Sequence, residues 1–218
     1  MKRCFLIAEM LLYAAFLALD LTGVLPGVSK WLKFAAICLV ALAGLSALRT
    51  SDGRIVSAAL VLTVTADVFL LVLDRSYGLG TALFLCVQIL YTIRLCNWSG
   101  ASPTLHLTAR GMLAGFAAWM ASVPFGRLEA LACGYIVWFF LNLAQSTALA
   151  LQTRERKAVR FAAGLALFFL CDLCVGIHNL PRNPLSGFAE IAMWAFYLPG
   201  QVLIVLSADA FGGIQNEV

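Results

Sequence analysis

Residues 60–73 read LVLTVTADVFLLVL, a run that is apolar apart from two threonines and one carboxyl group, Asp67. The run lies in an apolar segment near 55–73, of the length that crosses a bilayer as a helix, roughly 17 to 25 residues. Residues 165–177, LALFFLCDLCVGI, repeat the arrangement around Asp172. Further apolar segments predict helices near 4–22, 31–48, 78–97, 107–123, 128–151, 159–177 and 189–207, joined by short loops. Only 12% of the 218 residues are charged and 62% are hydrophobic, against about 25% charged in soluble domains. The expectation is an all-α polytopic membrane bundle of eight transmembrane helices, with 1–218 forming a single integral membrane domain. The basic start MKRCFLIAEM resembles that of a signal peptide, but no small-residue cleavage site follows, so it reads as a retained first helix.

Charge then sets orientation. Lys2, Arg3, Arg49, Arg54, Arg94, Arg110, Arg154, Arg156, Lys157 and Arg160 fall on one side, and Lys30, Lys33, Arg75, Arg127 and Arg182 on the other. By the positive-inside rule the richer side is cytoplasmic, which places both termini in the cytoplasm, as an even number of spans requires. The expected location is a bacterial cytoplasmic membrane. The net charge of +4 thus reflects topology and gives no reason to expect nucleic acid as a partner. The stretch QTRERKAVR, 152–160, reads as a solvated cytoplasmic loop within reach of anionic headgroups. All seven cysteines lie in hydrophobic segments and form no disulfide framework. Cys171 and Cys174 flank Asp172 in a C-x-x-C spacing, but with no second ligand set nearby they read as small packing residues. His106 and His178 make no ligand pair, so neither a metal nor a cofactor is expected.

A charged aspartate at a helix centre costs about 2.5–3.5 kcal/mol on insertion scales, so Asp67 and Asp172 need a partner, a proton or a polar cavity. Counted from Arg54 and Arg160, both lie roughly 18–20 Å from the cytoplasmic edge at 1.5 Å per residue. Their helices also run in the same direction. Other polar residues share helix faces: Gln88 with Tyr91, Tyr197 with Gln201, and Asn142 with Gln145. The last two stand equally well as interhelical hydrogen-bond glue. Pro199 interrupts the last helix and frees the carbonyl of Ala195. Glu9 is near enough to the helix start to snorkel. An Asp-bearing third helix followed by a Gln/Tyr fourth, and an Asp-bearing seventh followed by a Tyr/Gln eighth, suggest two parallel four-helix halves.

At these residues the chain resembles the YhhN-like lysoplasmalogenase family of multi-pass membrane proteins. Asp67 in TADVFLL matches its third-helix Asp, and GTALFLCVQILY matches the following stretch through Gly80, Phe84 and Tyr91. GLALFFLCD matches the seventh-helix motif through Gly164, Phe168 and Asp172, and YLPGQ the last-helix motif through Tyr197 and Gln201. Lys33 in LKFAAI is the counterpart of an early basic residue, ahead of Lys30. The resemblance runs from Lys33 to Gln201. Gln88 stands where the family usually has His, Cys171 where it has Ser, and Asn142 where an apolar residue is common. Loss of the imidazole removes a titratable group.

The resemblance implies hydrolysis of the vinyl ether bond of a lysoplasmalogen, or a related lysophospholipid, to a fatty aldehyde and a glycerophospho-alcohol. Such a bond breaks when its β-carbon is protonated and water captures the resulting cation. This requires a carboxylic acid that still holds its proton and a carboxylate beside it, an arrangement that buried carboxyl pairs provide. Asp67 and Asp172 are the expected pair. Gln88, Tyr91, Tyr197 and Gln201 would position water and the glycerol hydroxyl, and Lys33 would meet phosphate. The expected partners are lysophospholipid and bilayer, with no obligate protein partner. Two rivals use the same buried aspartates: a proton-coupled transporter, which moves solute without lipid, and a non-catalytic lipid-binding protein, which releases no aldehyde.

Overall fold

A computed structural model describes residues 2–208. Among these residues the chain forms eight α-helices: α1 Lys2–Thr22, α2 Pro26–Leu45, α3 Ser51–Asp67, α4 Tyr77–Ser99, α5 Pro103–Ser122, α6 Arg127–Thr153, α7 Arg156–His178 and α8 Ser186–Leu206. The ends follow local chemistry. Pro26 and Pro103 open α2 and α5, where a missing N–H leaves no helix bond unmade. Thr50 caps α3, its hydroxyl accepting the Gly53 N–H at 2.9 Å. Gly100 closes α4 at φ 67°.

Seven of the helices, all but α5, are long and apolar enough to cross a membrane. α5 forms where expected, yet His106, Arg110 and several small residues dilute its apolar content.

α2, α3, α4, α6, α7 and α8 form a ring in which each packs on the next and α8 returns to α2. α1 lies outside against α2 and α8, and α5 lies outside against α6 and α4. The neighbours of α1 to α4 therefore recur, four helices on, as those of α5 to α8.

The α7–α8 seam is the closest, because glycines face each other there. A Cβ on Gly164 would stand 2.8 Å from the Gly200 carbonyl oxygen, and one on Gly200 would stand 3.0 Å from that of Gly164. Small residues let helix backbones approach where no hydrophobic force joins helices in lipid. Next to the seam, the carbonyl of Ala195 that Pro199 leaves free accepts the Tyr13 hydroxyl at 3.1 Å. The helix break is therefore satisfied by α1.

Two arginines assigned by sequence to the loop side lie inside the protein. Arg94 on α4 is fully buried. Its guanidinium grips Asp52 at the start of α3 through two bonds of 2.7 and 2.8 Å, reaches Ser207 after α8 at 2.8 Å, and stands 4.3 and 4.5 Å from the rings of Trp98 and Phe161. Arg110 on α5 is also buried. Setting both aside leaves the excess of basic residues on the same side. Glu9 departs from expectation too: it is 3% exposed, with neither carboxyl oxygen bonded. It cannot snorkel because its face of α1 is the one that packs into the bundle.

Candidate active site

Asp67 and Asp172 occupy the same position in their helices. Each is the seventeenth residue, counted from Ser51 in α3 and from Arg156 in α7. α3 and α7 lie apart in the ring, and tyrosines on neighbouring helices reach both carboxyls. Tyr197 on α8 donates to Asp67 at 2.8 Å. Tyr135 on α6 donates to Asp172. The two phenol rings both stand against Phe84, each with its centroid 6.5 Å from that of Phe84. Phe168 fills the remaining space, 5.4 Å from Phe84 and 5.5 Å from Tyr197. Edge-to-face contacts of this kind fix ring positions as well as burying area. The carboxyls thus face a single aromatic cluster. Asp67 is 5% exposed, whereas Asp172 is half-buried, so Asp172 stands nearer the surface of the bundle.

The backbone changes character at Asp67. Val68–Val72 continue α3 as a π-helical turn, with the Leu73 N–H bonding the Val68 carbonyl at 2.8 Å. Such widened turns are frequent at functional sites, because the extra residue re-aims the side chains around it. Lys30 donates to the Val72 carbonyl at 3.3 Å and braces the end of the turn.

The other predicted residues fall into three settings. Gln88, fully buried one turn beyond Phe84 on α4, accepts from Asn142 through its Oε1 at 2.8 Å, and its Nε2 has no partner. Tyr91 and Gln201 are fully buried with their polar side-chain atoms unpartnered. Thr63, one turn before Asp67, is in the same state. α3 and α8 run in opposite directions, so Thr63 and Gln201 lie on the same side of the Asp67–Tyr197 bond, about 6 Å along the helix axes. Tyr91 stands apart from the carboxyls: its ring packs on Phe161 at 5.2 Å, eleven residues and about 16 Å along α7 from Asp172. Buried polar groups are almost always hydrogen-bonded, and the orphans nearer the carboxyls, Thr63 and Gln201, mark where a polar ligand or water fits.

Lys33 sits in the third setting. It pairs with Asp20 at 2.7 Å, and Ser29 donates to the same carboxyl. Its ammonium stands 5.1 Å from the Trp194 ring, which contacts Tyr197 at 5.3 Å. Lys33 is therefore one ring away from the Asp67 partner, with its charge already matched.

The sequence model of the YhhN family matches residues 28–208, most of the chain and every helix that bears a site residue. The chain belongs to the YhhN family. Among curated proteins nothing matches it, and among solved structures nothing does either.

Within this YhhN protein, the glycines and aromatics of the motifs acquire a physical role: Gly164 admits α8, and Phe84 and Phe168 wall the carboxyls. Sequence reading missed Tyr135, although it lies seven residues before Asn142 and so on the same face of α6. It also passed over Asp20 and Asp52, which stand near helix ends. Two departures from the family pattern, Gln88 and Asn142, turn out to be bonded to each other.

Proposed function

We propose that this protein is a lysoplasmalogenase-like hydrolase that cleaves the vinyl ether bond of a lysoplasmalogen within the membrane. One observation carries the reading: two register-matched aspartates, each held by a tyrosine hydroxyl, face one aromatic-walled site in a YhhN-family bundle. One carboxyl, in its acid form, delivers a proton to the β-carbon of the vinyl ether. The α-carbon becomes an oxocarbenium-like cation, which the other carboxylate stabilises. That carboxylate takes a proton from water as its oxygen bonds the α-carbon, giving a hemiacetal. The hemiacetal collapses as its hydroxyl proton passes to the glycerol oxygen. The products are a fatty aldehyde and a glycerophospho-alcohol, with one water consumed. The tyrosine hydroxyls hold the carboxyls in place, and Gln201 holds water or the glycerol hydroxyl. Lys33, in this reading, meets phosphate by exchanging its bond to Asp20.

The same reading places α5 in the membrane as an eighth span, divides the bundle into two four-helix halves within a single domain, and puts both termini in the cytoplasm of a bacterial cell. The repeated order of helix neighbours supports the division. Its partners are then the lysophospholipid substrate and the bilayer. The direct test is release of aldehyde from lysoplasmalogen by the purified protein. No release under conditions where the protein is folded and binds the lipid would leave the lipid-binding reading in its place.

A further inference from the structure

Asn142 is fully buried on α6 and uses its whole hydrogen-bonding capacity. Its Oδ1 accepts from the Arg110 guanidinium and lies 2.9 Å from the Thr92 hydroxyl. Its Nδ2 donates to the main-chain carbonyl and to the side-chain Oε1 of Gln88, each at 2.8 Å. Arg110 has no carboxylate partner among the described residues. Besides Asn142, its guanidinium reaches only the neutral oxygens of Thr92, at 2.7 Å, and Gln145. A guanidinium can only donate. It therefore fixes which end of the Asn142 amide faces it, since the flipped amide would set N–H against N–H. With Asn142 fixed, its Nδ2 must point at Gln88, and that fixes Oε1 of Gln88 as the acceptor. The Nε2 of Gln88 is thus committed to donate, and it is the atom left without a partner. Gln88 lies one turn beyond Phe84 on α4, and the Phe84 ring stands 6.5 Å from that of Tyr135, the phenol bound to Asp172.

We infer that Arg110 and Asn142 are positioning residues that lock Gln88 as a one-way N–H donor beside Asp172, and that this donor recognises the free 2-hydroxyl of a lysophospholipid. The inference rests on the reading of Asp67 and Asp172 as the reacting pair. An imidazole at position 88 would donate or accept according to its tautomer, whereas the locked amide only donates. It suits a ligand oxygen acting as acceptor next to the Tyr135–Asp172 bond.

The test uses a saturated 1-O-alkyl lysophosphatidylcholine, which cannot be hydrolysed by vinyl ether chemistry, and its analogue lacking the 2-hydroxyl. A site built to bond a hydroxyl discriminates strongly against the analogue without it, so wild-type protein in detergent should bind the hydroxyl-bearing lipid about tenfold tighter or more. Asn142→Asp keeps the shape and pairs with Arg110, but a carboxylate cannot donate to Oε1. It instead captures the Nε2 of Gln88 and reverses the amide. The variant should stay folded, and its reversed amide, which presents Oε1, should lose the 2-O-methyl ether of the same lipid, an oxygen that only accepts and that the wild type binds better than the analogue. A free 2-hydroxyl can still donate to Oε1. A packing role alone predicts wild-type binding of the ether in Asn142→Asp, and that result would overturn the inference. Should Asn142→Asp fail to fold, Gln88→Met, similar in shape and without a donor, must lose the preference. Equal binding of the two lipids by the wild type overturns the inference regardless of the variants. Aldehyde release is scored separately: a clear 2-hydroxyl preference with no hydrolysis sinks the enzymatic reading and leaves the recognition site standing.

Discussion

The Tyr197 hydroxyl donates to the Asp67 carboxyl at 2.8 Å, joining α8 to α3 across the centre of the bundle. Tyr135 does the same for Asp172 from α6. A hydrogen bond to a charged group contributes about 1.5–3 kcal/mol, enough to hold one rotamer of each carboxyl. Tyr197→Phe and Tyr135→Phe keep the rings against Phe84 and remove only the donors. Each is expected to lower turnover roughly tenfold or more with little change in thermal stability. Unchanged turnover in both variants would show that the tyrosines only fill space.

The Arg94–Asp52 pair closes one end of the bundle and is fully enclosed on the arginine side. Removing one member of a buried pair leaves an uncompensated charge and costs about 3–5 kcal/mol. Asp52→Asn and Arg94→Met should each lower the unfolding temperature in detergent clearly. The double variant should be less destabilised than the sum of the two. Additive losses would mean that the two residues act independently.

Gly200 lets α8 approach α7. A valine there meets the Gly164 carbonyl oxygen and the Phe168 N–H, at 3.0 and 3.1 Å from its Cβ. Neither backbone atom can swing away, so the helices must separate. Gly200→Val should impair both stability and activity, since Tyr197 and Asp172 lie on the two helices that part. Wild-type activity in Gly200→Val would contradict a site that depends on this seam.

The orientation is tested at Glu155, an exposed residue between α6 and α7. With a cysteine placed there as the reactive thiol, a membrane-impermeant reagent should label it only after the membrane is opened. Labelling in intact cells would invert the topology.

Much of this architecture can be read from the chain. Apolar length located each helix, because a bilayer span has a fixed thickness. Counting residues from the basic helix ends put Asp67 and Asp172 at one depth, and in the structure each is the seventeenth residue of its helix. What pattern could not supply was the partner of each polar group. Tyr135 lies in an aromatic run, GYIVWFFLN, in which nothing marks one ring as the ligand of a carboxyl. Arg94 and Arg110 look like loop charges, since each is within a few residues of a helix end, yet long side chains carry their heads inward to Asp52 and Asn142. α2 begins at Pro26, earlier than apolar content indicates, because proline starts a helix without needing apolar neighbours. The bond between Gln88 and Asn142 spans 54 residues and is visible only once α4 and α6 are packed.

The central claim, that Asp67 and Asp172 together cleave a vinyl ether, is tested most directly by aldehyde release from lysoplasmalogen by wild type, Asp67→Asn, Asp172→Asn and the double variant. Asparagine keeps the shape and can hydrogen-bond, so all four proteins should fold and insert. It cannot exchange a proton, and general acid–base groups contribute roughly 10²–10⁴-fold each. Wild-type protein should release aldehyde, and each single variant should lose at least about 100-fold. The double variant should fall little further, because residues acting as a unit are not additive. A folded double variant that releases aldehyde at the wild-type rate would contradict the account.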